Sequence, residues 1–216
     1  MRRESSTVVV LIGDADDGLL AGLARSPNVS VARAPARATP DANADAAKRA
    51  AVRPGWEMGA IAMREAARRR STYVIVPDDP LAEVAAGWRA MWDVSSGPSG
   101  PVGFERSSAE ALSAWRDKRF ELPDYYLVAE TVRADATGIP APDMYLGPLR
   151  AVRPRRVAVA PVGAPDVADS PVRAARIIEA LRSLEHGPWW PPLDELVDTA
   201  RGFYPGRLAE IQAPPS

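Results

Sequence analysis

The chain has 216 residues, 46% of them hydrophobic, and 27 basic against 28 acidic residues, a net charge of −1. That length and apolar content suit one soluble α/β domain, and the near-neutral balance gives no electrostatic case for nucleic acid or an anionic membrane as partner. With no cysteine and one histidine, His186, thiolate and multi-histidine metal sites are excluded, and a reducing cytoplasm is the simplest expected home.

In chain order, Thr7-Val8-Val9-Val10-Leu11-Ile12 reads as a buried strand, too short to be a signal peptide or membrane span. Gly13-Asp14-Ala15-Asp16-Asp17-Gly18 is a turn opening a helix through Leu19, Leu20 and Leu23. A second strand over 29–33 follows, then a Pro- and Ala-rich loop over 34–46 and a helix over 55–70. Tyr73-Val74-Ile75-Val76 is a third strand, and it stops at Pro77-Asp78-Asp79-Pro80 before a helix carrying Leu81, Val84, Trp88 and Trp92. Ligands in open α/β sheets collect at such carboxyl ends. One helix start needs one capping carboxylate, so a second acid beside it invites a cation.

Downstream, Gly97-Pro98-Ser99-Gly100-Pro101 reads as a loop, Val102-Gly103-Phe104 as a short strand, and Ser107 to Glu110 as a capping box for the next helix. Two further strands are predicted over 124–131 and 155–162, separated by a helical stretch over 144–152. Two helices close the chain, one from Ser170-Pro171 and one through Leu193 to Ala200, with His186-Gly187-Pro188-Trp189-Trp190 between them. The alternation predicts a three-layer α/β/α domain with a mostly parallel, Rossmann-like sheet. We expect residues 1–162 to form this domain, with 163–216 a helical extension packed on it.

In order of elements, the stretch over about residues 7–162 resembles the inverting nucleotide-sugar glycosyltransferases of the GT-A fold. The matching pieces are Val8 to Asp17, Val29 to Arg33, the Gly59–Ala67 helix, Tyr73 to Asp79, and Pro142-Asp143-Met144-Tyr145-Leu146-Gly147 before the strand over 155–162. The family's Asp-x-Asp stands here as Asp78-Asp79-Pro80. The resemblance implies Mn2+ or Mg2+ on Asp78 and Asp79, with Gly13, Asp14 and Asp16 lining the nucleotide side. It also implies Asp143 as the base that deprotonates an acceptor hydroxyl, a nucleotide-sugar donor, and a small-molecule or glycan acceptor. Two other readings stay open. Trp56-Glu57-Met58-Gly59 is similar to the glutamate-bearing helix of nucleoside deoxyribosyltransferases, and a non-catalytic α/β binding or accessory module fits the same pattern.

Overall fold

A computed structural model describes residues 6–13, 15–34, 55–92, 99–130, 143–162 and 169–203. Five strands, β1 (Thr7–Ile12), β2 (Val29–Val31), β3 (Tyr73–Val76), β4 (Tyr125–Glu130) and β5 (Val157–Pro161), form one sheet in the order β2-β3-β1-β4-β5, with every pairing parallel. β-branched and aromatic residues fill these strands because both faces are covered, so no polar alternation is needed. Along β1, Val9 and Leu11 enter one core while Val10 enters the other, opposite Val76 of β3 and Tyr126 of β4.

The first face is covered by α1 (Asp17–Ala24) and α5 (Ser170–Arg182). The second is covered by α2 (Gly55–Ala66), α3 (Ala82–Trp92), α4 (Ser99–Arg116), a π-helical turn (Tyr145–Leu149) and α6 (Leu193–Gly202). The described residues 169–203 thus contribute one helix to each face. From β1 to β2 the chain moves toward the sheet edge over the first face. From β2 onward it moves the opposite way over the second, and reversing direction together with face keeps every crossover of one hand.

The segment read as a loop and short strand over 97–104 differs in its described part, because Ser99 onward is already α4. Pro101 sits in the first turn, where its missing N–H is no loss. Gly100, Phe104, Ser108, Ala111 and Ala114 then share a buried face. Gly100 marks a close crossing: a Cβ there would lie 2.3 Å from the Ala90 carbonyl oxygen of α3. Ser107 is interior to this helix and donates its hydroxyl to the Phe104 carbonyl at 3.1 Å rather than starting a helix. Similarly, 144–152 is mostly a π turn containing Pro148, and β5 is preceded by a 3-10 turn over Pro154–Arg156.

Candidate functional site

The chain leaves β1 toward β2 on one side and later reaches β4 on the other, so the topological switch point lies over the carboxyl ends of β1 and β4. Gly13 ends β1 there with φ +121°, a conformation that strains any residue with a Cβ, and such a Cβ would lie 2.8 Å from the Ala129 carbonyl oxygen. Asp14 lies outside the described residues. Asp16 caps α1: its Oδ1 accepts the Leu19 N–H at 2.7 Å, and its Oδ2 accepts from Arg173 of α5, a guanidinium only 1% exposed. The Leu19 N–H first and Arg173 second hold the Asp16 carboxyl below its ordinary range. The positive end of the α1 dipole is therefore already neutralised by the chain's own carboxylate. α1 and α5 lie close enough that a Cβ on Gly18 would meet Ser170 Oγ at 2.8 Å, and one on Gly22 would meet Ala174 Cβ at 3.2 Å. Asp17 pairs with Arg33 at 2.8 Å at the surface.

The adjacent acids after β3 have different partners. Asp78 remains half-buried at the sheet's carboxyl edge, where Oδ2 accepts the Ala34 N–H at 2.9 Å and ties down the chain leaving β2. Asp79 is 6% exposed and accepts three hydrogen bonds: Leu81 N–H at 3.0 Å and Tyr126 Oη–H at 3.2 Å on Oδ1, and Tyr145 Oη–H on Oδ2. Burial pushes the Asp79 pKa up to about 6, against the lowering effect of these donors, Tyr145 foremost. Both tyrosines are raised well above their ordinary value, by burial first and the Asp79 charge second. α2 seats over this turn through Gly59, where a Cβ would lie 2.2 Å from the Pro80 nitrogen.

These contacts test the divalent cation implied for Asp78 and Asp79. A cation on Asp79 would have to enter the core beside a carboxylate already accepting three hydrogen bonds, while Asp78 is engaged by a different segment. The described residues contain no cluster of three acidic or histidine side chains able to hold a metal. The pair does not fit a shared cation.

Asp143 heads the π turn, with Oδ1 accepting the Tyr145 N–H at 2.7 Å and the Leu146 N–H at 3.1 Å, and with Oδ2 3.9 Å from Arg89 Nη2. Tyr145 consequently joins Asp143 to Asp79, through its backbone to one and its hydroxyl to the other. Glu57 is half-buried in the first turn of α2.

The His186–Trp190 loop is held by three arginines. Arg155 donates to the His186 carbonyl at 3.4 Å, Arg153 to that of Trp189 at 2.6 Å, and Arg156 to those of Gly187 and Pro188 at 2.7 and 3.0 Å. Arg156 also lies 4.9 Å from the Tyr125 ring centroid and 5.0 Å from that of Trp189. Trp190 is buried, with its indole N–H on the Pro123 carbonyl.

Reasoning from the sequence missed Tyr126, Tyr145, Arg156 and Arg173. A tyrosine within a buried parallel strand signals a hydroxyl in search of a partner. Arg173 shares helical spacing with Ile177 and Ala180, so it stands on an apolar stripe; Arg156 carried no such signal. No helix among the described residues is long and apolar enough to cross a membrane. Comparison with protein-family models, curated proteins and solved structures finds no match to this chain.

Proposed function

We propose that this protein is an α/β ligand-binding or accessory module that takes a hydroxyl-rich small molecule, of nucleoside or sugar type, over the carboxyl ends of β3, β1 and β4. The observation that carries this reading is the division of labour among its acids. Asp79, Asp143 and Asp16 are committed to protein donors, whereas Asp78 keeps a half-buried carboxylate at the edge with one donor on it among the described residues. A carboxylate there accepts hydrogen bonds from ligand hydroxyls, and its charge disfavours an isolated phosphate.

A second reading, transfer of a sugar from a nucleotide diphosphate, is favoured by the position of Asp78 alone, at the end of the strand where that chemistry places an acid. Thermal shift separates the two. Nucleosides and UDP- or GDP-sugars are added with and without Mn2+ or Mg2+, to the native protein and to Asp78→Ala. The proposed module is stabilised without metal and loses that response in Asp78→Ala. A shift that demands metal supports the transferase. No shift with any of these compounds rejects both.

A further inference from the structure

The crossing of α3 and α4 fixes the position of a second feature. Gly87 packs on Phe104 and Gly100 on Ala90, so the two helices run antiparallel. α3 descends from the carboxyl edge, so α4 climbs back to it. α2 also begins on that side, since it leads down into β3. Between the start of α2 and the end of α4 lies an open cleft of about 210 Å3, lined by Trp56, Glu110, Ser113, Ala114, Asp117 and Arg119.

Its walls differ in chemistry. Glu110, Ser113, Ala114 and Asp117 recur at helical spacing and present two carboxylates and a hydroxyl in one row. Facing them is the Trp56 ring, backed by Phe120 with centroids 6.3 Å apart. The cation present is the chain's own Arg119, 5.7 Å from the Trp56 centroid and 3.6 Å from Asp117. Glu110 has no ion-pair partner among the described residues. A ring face and an unpaired carboxylate both attract cations, and Arg119 already shows a guanidinium seated on this ring.

We propose that this cleft receives a second organic cation, a guanidinium or primary ammonium group, paired with Glu110 and walled by Trp56. The cleft shares no lining residue with the ligand position over β3, β1 and β4, and its small volume suits one such group rather than a whole cofactor. The group could be carried by a free amine or by a basic side chain of a partner, and the test distinguishes the two.

The 15N-labelled protein is titrated at low salt with agmatine and, separately, with an acetyl-Gly-Arg-Gly-amide peptide, following the Trp56 indole resonance. Saturable shifts are expected, weakened about three- to five-fold by Glu110→Gln and by added salt, and unchanged by Glu83→Gln, an exposed residue of α3. Tighter binding of agmatine assigns the site to a free amine, and tighter binding of the peptide to a partner side chain. Both support the proposal. If neither probe saturates, or Glu110→Gln binds as the native protein does, the proposal is overturned. Glu110 is exposed, so its substitution leaves the fold intact, which an unchanged melting temperature verifies.

Discussion

Asp79 and Asp78 show how one peptide bond separates two kinds of carboxylate. Removing Asp79 orphans two buried hydroxyls and a backbone N–H, so Asp79→Ala should lower stability by on the order of 3 kcal/mol, read by denaturant unfolding. Asp79→Asn retains an acceptor and sheds the buried charge, so it should cost much less near pH 8. The pH dependence has a definite sign. The folded pKa of about 6 lies above the ordinary 3.8, so the folded chain binds the extra proton between those values. The contribution of this group is fully present below about pH 4 and is lost as pH rises through about 6. The stability of the native protein relative to Asp79→Asn should therefore grow on acidification from pH 8 to 4, and a flat difference would refute the buried, raised carboxyl. Arg156 invites a second residue-scale test. Lysine can neither span the Gly187, Pro188 and Asp124 carbonyls together nor lie flat on Tyr125 and Trp189. Arg156→Lys should cost about 2 kcal/mol and speed proteolysis within 186–190; unchanged cleavage would dismiss the clamp.

Among the elements, the glycines divide by what lies opposite them. Gly59 and Gly100 face backbone at 2.2 and 2.3 Å from a notional Cβ, whereas Gly103, also helical, faces open space. Alanine at 59 or 100 should push α2 off the Pro80 turn or part α3 from α4, lowering the melting temperature by several degrees. Alanine at 103 should raise stability by about 0.5–1 kcal/mol through helix propensity alone. Equal effects at all three positions would show that the helices are not seated as closely as described. The same glycines explain where the sequence misled. Apolar β-branched runs gave all five strands, since period and composition decide those locally. Gly100 and Pro101 read as breakers because nothing in their own neighbourhood reveals α3 lying against them, and a long-range close approach leaves the same local signature as a loop. The π turn was equally hidden, because its hydrogen-bond pattern answers to Asp143 and to the core position of Tyr145 rather than to any residue period.

At the scale of the whole molecule, the sense of the sheet and its layering were legible and the strand order was not: alternating strands and helices led to a parallel, three-layer domain, which is what forms. The candidate site was legible only in outline. The strand that ends in two acids was visible, but their separate fates depend on Tyr126, 47 positions from Asp79, and Tyr145, 66 positions away, and no spacing rule announces such partners. Cohesion of the three layers likewise rests on distant polar ties, with Arg173 binding α5 to the head of α1 and Arg201 binding α6 to Glu105 of α4 at 2.7 and 2.9 Å. The exposed Arg201 pair should contribute little beyond orientation, whereas Arg173→Leu leaves Asp16 without its buried cation and should loosen α5 first, seen as faster amide exchange in 170–182 than in α6.

The central claim, that Asp79 holds the core and Asp78 faces a ligand, is tested most directly by melting Asp78→Ala and Asp79→Ala side by side, each with and without the nucleoside or nucleotide sugar that stabilises the native protein. Asp79→Ala should melt well below the native protein, and Asp78→Ala close to it but without the ligand-induced rise. An Asp79→Ala protein as stable as the native one, with a metal-dependent rise that needs both acids, would contradict this account.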